Sequence, residues 1–240
     1  MIKHHPDDIM LGKFVEGDLP ASIAAAVAVH VDMCPKCKTK CEALTEQQAE
    51  HVFSSNGHVF STHSEEGSQS HTSEHNAYET AEFGSSLSIE QMISEITEND
   101  EIDLAVESRE ETISVQGTQY KLPRALTNLA MGKWTSLGNL ARARLALDEE
   151  PIRASLLQIQ PGGSVPEHTH KGFELTLLLE GHFKDDMGEY GPGDFIMLDG
   201  SKTHSPITDD GCLCYTVAND AQHFTQGLNK LLNPIGSLIY

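Results

Sequence analysis

The feature that most constrains the fold of this 240-residue chain is the uneven distribution of its charge. Residues 42–111 contain 17 acidic side chains and one basic side chain, Arg109. Within this stretch, residues 54–88 are rich in Ser, Gly, His and Glu and poor in branched apolar residues. Such a composition buries too little apolar surface to offset the entropy lost on ordering. We therefore predict an acidic flexible segment at about 54–88 between two ordered regions.

The formal net charge of −20 also excludes some classes of partner. Nucleic acids and anionic membranes would repel the chain, so we expect protein partners with basic surfaces. No apolar run approaches the roughly 20 residues of a membrane span, and the first ten residues lack the apolar core of a secretory signal. The five cysteines are odd in number and clustered, unlike a disulfide framework. These features indicate a cytoplasmic protein.

The region before the acidic segment carries helical signals. Asp7 and Asp8 precede an apolar periodic run, as acidic residues do in the first turn of a helix. The predicted helices are one that begins at about Asp7, one at Ala21–His30, one from Lys36 to about Val52, and a short acidic one at Leu87–Glu98.

The period changes to short strand-like runs in residues 113–225, punctuated by Gly, Pro and Asp turns. This pattern predicts an all-β barrel or double-sheet jelly roll. We divide the chain into a helical domain at 1–98 with an acidic insert at 54–88, an acidic linker at 99–112, and a β domain at 113–240. The clearest strand predictions are Ala154–Gln160, Phe173–Leu179, Asp194–Leu198 and Cys212–Val217.

A first metal-ligand pattern lies in the helical region. His30, Cys34 and Cys37 follow the spacing H-x3-C-x2-C, and imidazole with thiolate suits tetrahedral zinc. A fourth ligand must come from elsewhere, and His4 or His5 on a neighbouring segment can supply it. A zinc ion held in this way would stabilise helices that are too short to be stable alone. The alternative is a chance cysteine pair in a helix.

A second pattern lies in the β region. His168 and His170 point to the same side of a strand because side chains alternate, Glu174 begins the next apolar run, and His204 arrives later. Three imidazoles and a carboxylate inside a small barrel form a divalent metal site. The alternative is a set of surface histidines near a turn.

Cys212 and Cys214 share one face of a predicted strand. If that face is inward, the two thiols are candidates for oxidation by a reactive signal. The alternative, which we favour, is ordinary buried cysteine in an apolar strand.

The second pattern resembles the cupin family. The first cupin motif, G-x5-H-x-H-x3,4-E-x6-G, is matched in full from Gly162 to Gly181. The second motif, G-x5-P-x-G-x2-H-x3-N, is matched at Gly193 and His204. The departures from the second motif are Asp199, Ser201 and Thr208.

The order of the two patterns resembles the ChrR type of zinc-binding anti-sigma factor. This resemblance implies that the helical domain binds an extracytoplasmic-function sigma factor and blocks its use by RNA polymerase. It implies that His5 joins His30, Cys34 and Cys37 as the N-terminal zinc ligands, and that the cupin binds a second zinc or another divalent ion. It also implies that the cupin governs release on an oxidative signal, such as singlet oxygen or organic hydroperoxide.

The rival interpretation is a metal-dependent cupin enzyme, a dioxygenase or an isomerase. Three histidines and a glutamate can hold a divalent ion with a coordination position open to substrate. The N-terminal zinc-type pattern argues against it, since a stand-alone cupin enzyme has no need of that module. We therefore expect a regulator and not an enzyme.

Overall fold

The computed structural model describes residues 1–55, 91, 93–94, 97–98, 111–220 and 222–225. The predicted flexible segment after residue 55, and most of the predicted acidic linker, lie outside the described residues. Of the helix predicted at Leu87–Glu98, four residues are described as helical: Gln91, Ile93, Ser94 and Thr97. The chain divides into two compact units, one of residues 1–56 with 109–240 and one of residues 57–108. The domain boundaries that we drew stay a prediction.

Three helices form the N-terminal part of the first unit, as predicted. Asp7 caps the first helix, since its carboxylate accepts a hydrogen bond of 2.7 Å from the Met10 amide, and Gly17 ends that helix at a φ of 75°. The helices are α1 (Asp8–Glu16), α2 (Ala21–Met33) and α3 (Pro35–Ser55). Within the described residues no single helix has the length and apolarity to span a membrane. Helices α1 and α2 reach that length and apolarity only when they are taken together, and they are bent by 110° relative to each other.

The regular elements of residues 111–225 are strands apart from one short helix, which confirms the predicted fold class. A four-residue helix, α4 (Arg124–Thr127), follows the first two strands. The strands are β1 (Thr112–Val115), β2 (Thr118–Lys121), β3 (Thr135–Leu137), β4 (Leu140–Leu145), β5 (Arg153–Ile159), β6 (His168–His170), β7 (Phe173–Gly181), β8 (Phe183–Asp185), β9 (Gly188–Tyr190), β10 (Phe195–Asp199), β11 (Thr203–His204), β12 (Cys212–Ala218) and β13 (Gln222–Phe224).

The strands form two facing layers that make up the barrel. One layer is a six-stranded antiparallel sheet in the order β10-β7-β12-β5-β4-β3, and the other is a three-stranded sheet in the order β11-β6-β13. The hairpin β8–β9 and the pair β1–β2 complete the described strands. The four clearest strand predictions correspond to β5, β7, β10 and β12, with ends that shift by one or two residues.

The helices and the six-stranded sheet share one hydrophobic core. Ala26 and Val27 of α2 are fully buried, and they belong to the same buried cluster as Tyr215 of β12. The Tyr215 hydroxyl donates a hydrogen bond of 2.9 Å to the carbonyl oxygen of Ser22 in α2. The Glu149 carboxylate accepts hydrogen bonds from the backbone amides at the start of α2. Helix α2 is therefore capped and covered by residues of the β region.

We expect Tyr215→Phe to lower the free energy of unfolding by about 0.5–1.5 kcal/mol, because it removes one buried hydrogen bond while the ring remains packed. Thermal unfolding measures the loss, and hydrogen exchange locates it as faster exchange in α2. Tyr120→Phe is the matched control, since the Tyr120 hydroxyl accepts its bond from Gln158 within the barrel. Exchange in α2 that is unchanged by Tyr215→Phe would contradict the assigned role of this bond.

Two candidate metal centres

The first candidate metal centre is formed by His5, His30, Cys34 and Cys37, whose ligand atoms all lie within 4.8 Å of one another. His5 comes from the segment before α1, and His30 lies in the last turn of α2. The Cys34 amide donates to the His30 carbonyl, which ends α2, and α3 starts at once and carries Cys37 in its first turn. The abrupt junction between α2 and α3 therefore brings three of the four side chains together.

The distances between ligand atoms in this N-terminal cluster are short and even. His5 Nδ1 lies 3.4 Å from His30 Nε2, and it lies 3.5 Å from the Sγ atoms of Cys34 and Cys37. His30 Nε2 lies 3.3 Å from Cys37 Sγ. His4 is directed elsewhere, with its ring 4.9 Å from the ring of Tyr190. Of the two histidines that the sequence left open, His5 is the one in the cluster.

The electrostatics of the N-terminal cluster suit a cation. Burial lowers the pKa of His5 and of His30, which favours the neutral imidazoles that bind metals. Burial, together with the neighbouring Cys34, raises the pKa of Cys37 to about 11. The Cys37 thiol therefore does not ionise readily without a nearby positive charge, and a divalent ion supplies that charge. Two nitrogens and two sulfurs in this arrangement can hold a metal.

A turn of the barrel contacts this cluster directly. His30 Nδ1 lies 2.7 Å from the carbonyl oxygen of Gly193, so that its N–H donates there and Nε2 faces the other ligands. The Asp194 carboxylate accepts hydrogen bonds of 2.6 and 2.9 Å from the amides of Lys3 and His4. The sequence analysis placed Gly193 in the second cupin motif, and it did not connect Gly193 or Asp194 with the N-terminal cluster.

The second candidate metal centre lies inside the barrel and consists of His168, His170, Glu174 and His204, all buried. Strand β6 supplies both His168 and His170, and β11 pairs with β6 so that His204 lies opposite His168. The Nε2 atom of His204 lies 3.1 Å from that of His168 and 3.3 Å from that of His170. Glu174 Oε2 lies 2.9 Å from His170 Nε2. The four residues predicted from the sequence thus converge.

Neighbouring acceptors orient two of the three barrel imidazoles. His168 Nδ1 donates a bond of 2.8 Å to the Pro166 carbonyl, and His204 Nδ1 lies 3.3 Å from an oxygen of the buried Asp185 carboxylate. Both rings therefore present Nε2 to the cluster, as metal-binding histidines do. Asp185 was not identified from the sequence, where it is one of several acidic residues in a hairpin.

Hydrogen bonds within the barrel cluster shift the pKa of two of its groups, His204 and Glu174. Burial alone would lower the pKa of His204, but hydrogen bonds with Asp185 and Glu174 outweigh burial and raise it to about 9. Burial alone would raise the pKa of Glu174, whereas hydrogen bonds with His168, His170 and His204 hold it well below its usual value. A carboxylate surrounded by imidazole nitrogens is a donor set for a divalent cation.

A cavity of about 30 Å³ adjoins the barrel cluster. Its apolar walls include Leu157, Ile159, Val165, Phe183 and Ile196, and Cys214 also lines it. Cys212 and Cys214 are both buried, and the hydrogen bond from Cys212, followed by burial, raises the pKa of Cys214 well above its usual value. The inward orientation of Cys214 agrees with the sequence analysis, while its oxidation stays a prediction.

Known proteins are similar to this chain both in its β region and along nearly its whole length. Residues 122–222 match the family described as the ChrR cupin-like domain. The curated protein anti-sigma-E factor ChrR of Cereibacter sphaeroides is 26% identical over 243 residues, which cover 97% of each chain.

Two solved structures add to this comparison. A crystal structure of an RmlC-like cupin protein from Ralstonia eutropha JMP134 matches 41% of this chain and 68% of its own, with 12% identity and a TM-score of 0.36. The crystal structure of Rhodobacter sphaeroides SigE in complex with the anti-sigma ChrR matches over 91% of this chain and 100% of that chain, with 25% identity and a TM-score of 0.60. The chain is thus similar to an anti-sigma ChrR over nearly its whole length, and its β region matches the ChrR cupin-like domain over residues 122–222.

Proposed function

We propose that this protein is an anti-sigma factor, which binds an extracytoplasmic-function sigma factor in the cytoplasm and keeps it from RNA polymerase. The observation that carries the proposal is the similarity to ChrR along nearly the whole chain, in combination with the convergence of His5, His30, Cys34 and Cys37. The proposed partner fits the charge of the chain, since acidic surfaces can compete for basic surfaces that a sigma factor turns toward DNA.

We propose zinc as the ion of the N-terminal cluster, bound by His5, His30, Cys34 and Cys37. A tetrahedral zinc with Zn–N of about 2.05 Å and Zn–S of about 2.3 Å separates two nitrogens by about 3.3 Å and a nitrogen from a sulfur by about 3.5 Å. The observed N–N distance is 3.4 Å, and the N–S distances are 3.3–3.5 Å. Four protein ligands leave no position for substrate, so this ion would have a structural role.

We propose that His168, His170, Glu174 and His204 bind a second ion, zinc or another divalent metal, and that the barrel governs release of the sigma factor. The cavity beside this cluster, about 30 Å³, has room for a water molecule or two. Sites for organic ligands usually measure about 300–1,000 Å³. The cavity size therefore favours a regulatory domain over a dioxygenase or an isomerase.

The proposed surface for the sigma factor lies on the helices. Ile9 of α1 is 73% exposed and Phe53 of α3 is 77% exposed, so both large apolar side chains are accessible to a partner. Exposed apolar residues on an otherwise polar surface are typical anchors in protein interfaces. We propose that both residues contact the sigma factor.

We expect the purified full chain to contain two metal ions, which elemental analysis measures. His30→Ala should remove one ion and abolish inhibition of sigma-dependent transcription, because the helices lose the ion that joins them. The double variant His168→Ala and His170→Ala is the matched control, and it should remove the other ion and leave inhibition intact. A wild-type protein that binds no metal and no sigma factor would refute the proposed function.

We expect Ile9→Ala and Phe53→Ala each to weaken binding of the sigma factor about 10-fold, or about 1.4 kcal/mol, by truncating an interface anchor. Alanine keeps the helices intact, since it has the highest helix propensity. Leu137→Ala is the control, because Leu137 is 61% exposed on the barrel strand β3. Calorimetric titration measures all three affinities, and equal losses for helix and barrel variants would exclude this surface.

We also propose that an oxidative signal, such as singlet oxygen or an organic hydroperoxide, acts through the barrel, with Cys212 and Cys214 as candidate targets. The full-length complex of a Cys212→Ser, Cys214→Ser variant should then stay intact when an organic hydroperoxide dissociates the wild-type complex. Size-exclusion chromatography measures the dissociation. Equal dissociation of the two complexes would remove the two thiols from the signalling step.

A further inference from the structure

The turn between β9 and β10, residues 191–194, contacts two different parts of the N-terminal cluster. Gly193 presents its carbonyl oxygen to His30 at 2.7 Å, and Asp194 binds the segment that carries His5. This turn belongs to the β region, yet it lies next to a metal centre whose four ligands all come from the first 37 residues.

Asp194 holds the N-terminal segment through its backbone. Its side chain accepts from the Lys3 and His4 amides with one oxygen and from the Gly191 amide, at 2.8 Å, with the other. Asp194 itself is 2% exposed, and its three bonds lie in a partly buried site. The Phe195 amide adds a bond of 3.1 Å to the His4 carbonyl. The backbone on the N-terminal side of His5 is therefore fixed by the barrel.

Gly193 allows the close approach of the two parts. Its φ of 87° lies in the left-handed region, and a Cβ atom at this position would lie 2.4 Å from Ile2 Cδ1. The carbonyl oxygen of Gly193 then lies 2.7 Å from His30 Nδ1, within hydrogen-bond distance. A backbone acceptor on the second nitrogen of a ligating histidine fixes its tautomer and orientation, and losing such a partner typically costs 10–100-fold in metal affinity.

We infer that the barrel turn 191–194 positions the ligands of the N-terminal metal centre, with Asp194 as a positioning residue for His5 and the Gly193 carbonyl as the partner of His30. The inference rests on the proposed metal binding by the N-terminal cluster. Asp194 itself touches no ligand atom of the cluster, and it acts through the backbone of residues 3 and 4. The metal affinity of the N-terminal centre then depends on an intact contact with the barrel.

The test is cobalt binding by the full-length protein in competition with a chelator. Thiolate coordination gives cobalt a charge-transfer band, which reports the N-terminal cluster because the barrel cluster has no cysteine ligand. Asp194→Ala should weaken cobalt binding at the N-terminal cluster 10–100-fold and leave metal binding by the barrel unchanged in the same molecules. Asp194→Asn, which keeps the size of the side chain, should show a smaller loss.

The matched control is Glu149→Ala. Like Asp194, Glu149 is a carboxylate of the β region that accepts hydrogen bonds from backbone amides of the helical region. Its donors are Ala21 and Ser22, which lie about 13 Å along α2 from His30. It should lower thermal stability and change cobalt affinity less than twofold. Equal losses in Asp194→Ala and Glu149→Ala, or no loss in Asp194→Ala, would overturn the inference.

Two further outcomes, the absence of the metal site and a failure to fold, would be recognised separately. A wild-type protein without the thiolate–cobalt band would refute the proposed N-terminal metal site itself. Asp194→Ala could lose metal from both centres because it fails to fold. In that case the cobalt affinity of Asp194→Asn tests the positioning role. A wild-type cobalt affinity in Asp194→Asn would then overturn the positioning role.

Discussion

Helix α2 is apolar on all sides, and the architecture follows from the need to cover it. Between Ala21 and Met33 the only charged side chain is Asp32, so no face of the helix is suited to water. The helices α1, α3 and α4 cover part of its surface, and strands β7 and β12 of the six-stranded sheet contact another part. If the helices did not pack on the barrel, α2 would expose apolar surface to water. The close packing of helices and barrel is therefore a consequence of the sequence of α2.

This packing places the two metal centres in different physical settings. The N-terminal cluster joins three chain segments at the surface of contact with the barrel, and its ligands include two thiols. The barrel cluster has no thiol, is fully buried, and lies beside a small apolar cavity. The first arrangement suits an ion that maintains a structure, because it links separate segments of the chain. The proposed function assigns partner binding to the helices and control of release to the barrel, so each part would contain one of the two clusters.

The sequence predicts the ligands better than it predicts their neighbours. The spacing of His168 and His170 places both on one side of β6 because strand geometry is periodic, and the spacing of Cys34 and Cys37 fits the first turn of a helix. Local rules of this kind could not choose between His4 and His5. That choice depends on a bond between residues 191 positions apart, Lys3 and Asp194, and single-sequence patterns contain no information about such pairs. Asp185 escaped notice for the same reason.

Residues 3–5 are held against the barrel and contribute one ligand atom to the N-terminal cluster. His5 is half-buried, while the three other residues of its cluster are buried, so this corner is where solvent reaches the ligands. Met1 is fully exposed and lies beside Asp194 in a surface groove. A polyhistidine purification tag joined ahead of residue 1 would place extra imidazoles near a half-buried histidine ligand. The imidazoles of such a tag would compete with the N-terminal cluster for its metal ion.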